Sequence, residues 1–196
     1  MKDERRIAPA VAWLGVVLLA SASLPLTPAG ESFVELWIRE LRRGLLEGFG
    51  MLIGFGSPFL FGAGLGLAGF SAVPHRVARA CVSVPIALMH AHLGLVAVVV
   101  VTRGDVFGGW LLFLGGWGSG LYYVLRNGQA RAEDRELSLP WLARWGATLL
   151  TATAVWIFLQ RLVGAVFGFG LEVILVVGAV LMFVSREPRS NVHVVA

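Results

Sequence analysis

Glu172 is the residue whose type and setting say most about chemistry. It stands between Leu171 and Val173, near the middle of an apolar run at 162–184. A carboxylate at the centre of a bilayer is costly unless protonated or paired, so such a group faces the interior of a helical bundle. Residues of this kind mark proton and ion pathways. His90 and His92 sit near the middle of another apolar run, 80–101. Two residues on a helix are about 200° apart, so the imidazoles point to nearly opposite sides and cannot hold one metal together. At most one of them faces Glu172, and a His–Glu pair at that depth would serve as a proton relay or a coupling site. Ser57-Pro58 interrupts a third run, 46–73. Proline removes a backbone donor and clashes with the preceding turn, so this helix is expected to kink or break. Broken helices in mid-membrane line solute and ion sites.

Other chemistries find less to work with. The single cysteine, Cys81, excludes a dithiol redox pair and a Cys-ligated metal cluster. A bis-His haem needs histidines on facing helices, and no other apolar run contains one, so haem would require a second copy or a partner subunit. Ser119 in Gly118-Ser119-Gly120 has no histidine on a later run to act as its base. No phosphate-binding loop, paired-carboxylate metal motif or dinucleotide fingerprint is present. The expectation is no catalytic set, no cofactor and no metal, so an enzyme or redox protein is the weakest of the readings.

The elements that must position these residues follow from composition. Of the 196 residues, 57% are hydrophobic and 14% charged, and the mean hydropathy is +0.79. Soluble domains carry about 25% charged residues, so this chain cannot cover a soluble surface. A helix crosses about 30 Å of hydrocarbon with about 20 apolar residues. Six such stretches occur, at 7–25, 46–73, 80–101, 107–125, 141–160 and 162–184. Runs such as 93–101 do not alternate, which excludes barrel strands. The expected fold is an all-α integral membrane protein, one domain over 1–196, built as a bundle of six transmembrane helices.

The first stretch has a second reading. Lys2, Arg5 and Arg6 precede it, and Ala20-Ser21-Ala22 has the form of a signal-peptidase site. The apolar run continues through Leu24 and Leu26, which favours an uncleaved helix; cleavage would leave five helices. With the N-terminus in the cytoplasm, 11 of the 16 Lys and Arg residues fall on that side. This is the sense of the positive-inside rule, and it places the C-terminus inside as well, as in a bacterial inner membrane. The isoelectric point near 10.2 is explained by these anchors without nucleic acid.

Residues 31–47 read as an amphipathic helix on the outer membrane surface, with Phe33, Trp37, Leu41 and Leu45 on one face. Glu35 and Arg39 are spaced to pair four apart. Asn127-Gly128 marks a turn in the polar connector 126–140. Tyr122, Tyr123, Trp141 and Trp145 fit an aromatic belt, while Trp117 lies too deep for one. Small residues four apart let helix backbones approach. Such pairs are Gly50 and Gly54, Gly62 and Gly66, Gly116 and Gly120, and Gly164 and Gly168. The partners implied are the lipid bilayer and a second copy or other membrane subunits. Together these features point first to a subunit or scaffold of a larger membrane assembly. A small proton- or ion-coupled transporter or channel, using Glu172 and a mid-membrane histidine, is the alternative.

Overall fold

A computed structural model describes residues 7–25, 30–71, 73–104, 106–133 and 137–164. Glu172 and Gly168 lie outside them. The described residues are helical with no strand; one isolated antiparallel bridge joins Pro25 to Ser32. Helix α1 is Pro9–Ala20 and ends in a short 3-10 turn at Ser21–Ser23. Helix α2 is Phe33–Arg43 and α3 is Leu45–Gly54. Helix α4 is Ser57–Phe70 and α5 is His75–Thr102. Helices α6, Val106–Phe113, and α7, Ser119–Ala132, are joined by a π-turn at Leu114–Gly118. Helix α8 is Leu139–Gly164. Among the described residues, α5 alone is long and apolar enough by itself to cross a membrane; α3 and α4 together form a second such length, bent by 72° at the break between them.

The break falls where Pro58 requires it. Proline is tolerated in the first turn of a helix, where its missing N–H would have no partner, so α4 starts with Ser57-Pro58. At the end of α3 the N–H groups of Phe55 and Gly56 both donate to the Met51 carbonyl, at 2.9 and 3.2 Å. Helical bonding resumes with Leu60 N–H to the Gly56 carbonyl at 3.0 Å.

Helix α4 is held between two neighbours by its small residues. A β-carbon on Gly62 would sit 2.7 Å from the Gly15 carbonyl oxygen, and one on Gly15 would sit 2.6 Å from the Gly62 carbonyl oxygen. Each helix therefore approaches the other's backbone where neither carries a side chain. On the other flank, Gly64 lies against the Cys81 carbonyl of α5, and α8 presents Gly146 to the Phe61 ring. Phe61 and Leu65 are completely buried there, together with Val82 and Ile86 of α5 and Ala147 of α8.

The glycine pairs differ in what they meet. Gly66 makes only an ordinary contact with Val16, and Gly116 meets Leu93 and Gly94 of α5. Gly54 and Gly120 face histidines instead of glycines, and Gly50 meets nothing within 4 Å among the described residues. Gly164 is the last residue of α8.

Two boundaries differ from expectation. Asn127-Gly128 does not turn the chain: α7 runs through it to Ala132. A single interior glycine costs about 1 kcal/mol, and the good helix formers Leu125, Arg126, Gln129 and Ala130 flank it. Helix α8 likewise continues through Gln160-Arg161-Leu162, where the fifth and sixth spans were expected to divide. None of these residues breaks a helix. The Ala20-Ser21-Ala22 segment is folded in, with Ser21 and Ala22 buried and the Ser21 hydroxyl donating to the Leu18 carbonyl at 2.6 Å.

Gly62→Val should lower stability by about 1–3 kcal/mol, because the added carbons must separate two backbones. Gly50→Ala, in open space on a helix, should be neutral or stabilising by up to about 1 kcal/mol. Thermal unfolding of both variants in the same detergent checks the pair. Equal midpoints would rule out the close approach of α1 and α4.

Candidate functional site

Helix α5 carries both histidines and sends them to different neighbours. His90 faces α7 and α8. The Trp145 indole Nε1–H donates to His90 Nε2 at 3.0 Å. Nε2 is therefore the lone-pair nitrogen, and the proton belongs on Nδ1. Nδ1 lies 3.3 Å from the Ser119 hydroxyl oxygen. That hydroxyl in turn reaches the Gly115 carbonyl and, at 3.2 Å, the Gly116 carbonyl. The π-turn places Ser119 here, since its wider loop advances the carbonyls of Gly115 and Gly116 toward the hydroxyl. Gly120 leaves room for the ring: a β-carbon there would be 3.5 Å from His90 Cβ. With both nitrogens engaged, His90 offers no lone pair to a metal or haem iron in this arrangement.

Around His90 the four aromatic residues expected to form a belt make an intramolecular stack. Trp141 and Trp145 are parallel within 4°, with centroids 5.7 Å apart. Tyr123 stacks on both, at 6.2 and 6.3 Å, and lies 5.7 Å from the His90 ring. Tyr122 approaches Trp145 at 5.3 Å. Tyr123 is 5% exposed, so it belongs to the core. The spacing i, i+4 of Trp141 and Trp145 was the available signal, because it puts both rings on one helix face. Trp117, expected to be interior, is instead 61% exposed, stacked on Phe113 and edge-on to Gly94.

His92 faces the opposite flank, toward the α3–α4 break. Its ring meets Phe55 edge-on at 5.0 Å, and its Nδ1 would lie 3.5 Å from a β-carbon on Gly54. His92 Nδ1 is buried with no hydrogen-bond partner among the described residues, and the same is true of the Ser57 hydroxyl at the first residue of α4. Buried polar groups are nearly always paired. Two orphaned atoms beside one helix break therefore set this place apart from the satisfied His90 cluster. The structure thus sets His92 against Gly54 and Phe55, at the end of the helix before Ser57-Pro58, and His90 against Gly120.

Helix α2 covers the break. Its N-terminus is a capping box: the Ser32 hydroxyl accepts from Glu35 N–H at 3.3 Å, and Ser32 N–H donates to Glu35 Oε2 at 2.7 Å. Glu35 is consumed by this cap, so the expected Glu35–Arg39 pair does not form. Arg39 pairs with Glu31 at 2.5 Å instead. The apolar face turns toward α3 and α4. Phe33 is buried 4.8 Å from the Phe59 ring, and the Trp37 indole donates to the Gly48 carbonyl at 3.0 Å. What α3 leaves outward is Leu45, Leu46, Phe49 and Ile53, all exposed.

Among the described residues, no three His, Cys, Asp or Glu side chains are placed to hold a metal ion. Comparison with protein-family models, curated proteins and solved structures finds no match for this chain.

Removing either partner of the Trp145–His90 bond orphans the other. Trp145→Phe and His90→Leu should each cost about 1–3 kcal/mol. The double variant should lose less than the sum, by roughly 0.5–2 kcal/mol, read as unfolding midpoints in a double-mutant cycle. Strict additivity would mean the bond contributes nothing.

Hydrogen bonds from the Ser32 backbone and hydroxyl hold the Glu35 carboxyl below its usual range. The ionised form is the one these bonds stabilise, so the cap is complete above the unfolded carboxyl's pKa of about 4.3 and is lost as pH falls through the lower folded value. Hydrogen exchange of α2 amides, referenced to intrinsic rates, should show protection at pH 7 that falls on acidification. Glu35→Gln should remove the pH dependence; an unchanged acid profile in that variant would assign it elsewhere.

Proposed function

We propose that this chain is a multi-pass helical protein of the bacterial inner membrane, and that it acts as an embedded subunit or scaffold of a larger membrane assembly. Helix α5 supports the membrane reading. Its most apolar 18-residue window has a mean hydropathy of 2.2, yet only 33% of that window is buried within the fold. Val84, Leu95, Val98, Val99 and Val101 all stand exposed on it. Water does not tolerate apolar surface of that extent, whereas hydrocarbon does. The excess of Lys and Arg on one set of loops supports a cytoplasmic C-terminus.

The observation that carries the assembly reading is where glycine is left without a neighbour. Gly50 of α3, and Gly115 and Gly118 of the π-turn segment, meet nothing within 4 Å among the described residues. Small residues on outward faces are the places where another helix can approach closely in lipid. Helix α3 lies on the His92 flank of α5 and the π-turn on the His90 flank, about 200° away. These two outward faces, on opposite flanks of α5, are where a partner subunit would dock. Exposed Trp110 and Trp117 flank the π-turn face.

A second reading, a small proton- or ion-coupled transporter or channel, is favoured by the broken α3–α4 segment and its two orphaned polar atoms. Glu172, outside the described residues, remains its proposed coupling carboxylate.

Native mass spectrometry of the tagged chain, released with surrounding lipid, separates these. A different polypeptide at fixed ratio is the expected result. A monomer or a homo-oligomer alone would overturn the assembly reading and leave the transporter. Release from membranes by carbonate would overturn both.

A further inference from the structure

We propose that the protein thins the bilayer on its α1–α4 flank, where phospholipid headgroups settle onto helix α2 well short of the C-terminal end of α5. The inference rests on the multi-pass membrane reading and goes beyond it by giving one flank a lowered lipid surface.

The helices of that flank are short. Helix α1 has 12 residues and α4 has 14, against 28 in α5, so they are about 18, 21 and 42 Å long. Hydrocarbon is about 30 Å thick, and neither short helix crosses it. Contacts fix where they stop. Gly69 of α4 lies against Ala12 and Gly62 against Leu18, so α1 and α4 run antiparallel over the same interval. Gly64 meets Cys81 near the start of α5, and Gly54 and Phe55, just before α4, meet His92. Ala22, Phe33 and Phe59 pack together, which gathers the end of α1 and the starts of α2 and α4 at one level. Ten residues of α5 follow His92, about 15 Å of helix.

The two flanks ask for different solvents above that level. Helix α5 exposes Leu95, Val98, Val99 and Val101 there, a surface that hydrocarbon accepts and water does not. On the other flank charge arrives at once. Ser32 is bridged to Pro25, just past the end of α1, and it holds the Glu35 carboxylate. Glu35, Arg39, Arg42 and Arg43 are exposed, and charge is costly away from water. Helix α3 adds little height: bent by 72° from α4, its ten residues climb only about 5 Å. One flat membrane boundary cannot meet both demands. A bilayer thins to match an apolar element shorter than itself, so the boundary steps down from α5 to α2 by about 10 Å once the radius of α2 is allowed for. Arg42 and Arg43 offer guanidinium donors to the headgroup phosphates, and Leu45, Leu46 and Phe49, exposed on α3, enter the acyl chains.

The test is nitroxide accessibility in nanodiscs of dioleoylphosphatidylcholine, on full chains carrying Cys81→Ser and one new cysteine. Labels at Arg42→Cys, Leu95→Cys and Val99→Cys are read with oxygen, which concentrates in hydrocarbon, and with a neutral nickel chelate, which stays in water. The expected nickel-to-oxygen ratio is severalfold higher at 42 than at 95 and 99. Arg43→Cys serves as the α2 reporter if Arg42→Cys fails to fold. Hydrocarbon values at all three positions overturn the step and leave the membrane reading intact. Water values at 95 and 99 place the end of α5 outside the bilayer and also overturn the step. Carbonate extraction of the same preparations then reports separately whether the chain is membrane-embedded.

Discussion

The close approach of α1 and α4 at Gly15 and Gly62 is the constraint on which the rest of the arrangement depends. Two carbonyl-bearing backbones lie where any β-carbon would collide. That contact sets the position of α4, and α4 sets the positions of its other neighbours. Gly64 then admits the Cys81 carbonyl of α5, and Phe61 fills the notch opened by Gly146 of α8. Dispersion between closely fitted backbones holds this crossing. The glycines let α4 meet its neighbours closely, and Phe61, Leu65, Val82 and Ile86 are buried beside them.

Fixing α4 also fixes the break that precedes it. A helix interrupted in apolar surroundings leaves backbone and side-chain polar groups that water would otherwise satisfy. This fold handles two such burdens differently. Around the π-turn, the widened helix is matched by Ser119, His90 and Trp145, and each polar atom finds a partner. At the α3–α4 break, the Ser57 hydroxyl and His92 Nδ1 do not. Helix α2, capped by Ser32 and Glu35, closes over that place through Phe33 and Trp37. The cover is held by the Phe33–Phe59 contact, the Trp37 indole bond and the packing of Val34 and Leu41 toward α3, and the break beneath it is bent by 72°.

Much of the helical framework was legible in the sequence. The Ser57-Pro58 interruption was, because proline acts on its own backbone wherever it stands. The amphipathic segment was legible in part, because its period is a local property: α2 is Phe33–Arg43, Leu45 belongs to α3 and stands exposed, and the apolar face of α2 covers another helix. The Glu35–Arg39 spacing misled because a helix N-terminus competes for the same carboxylate, and the cap at Ser32 wins. Asn127-Gly128 misled because turn propensity is weak beside the helix formers on either side. The aromatic belt became a stack because i, i+4 spacing on α8 brings Trp141 and Trp145 face to face before α7 supplies Tyr123.

By itself, the sequence determined the helical class and the short-range features of its helices. Composition, proline positions and the two-residue spacing of His90 and His92 are properties of the chain at short range, and they hold in any packing. Only the tertiary structure decided which face meets which. Gly15 lies outside every four-residue glycine pair, so its fit to Gly62 exists only once α1 and α4 cross. His90 and His92 are equivalent in sequence terms. Trp145, 55 residues away, satisfies one, and the broken helix leaves the other without a partner. That difference arises from contacts between distant segments, which the spacing of residues along one helix does not encode.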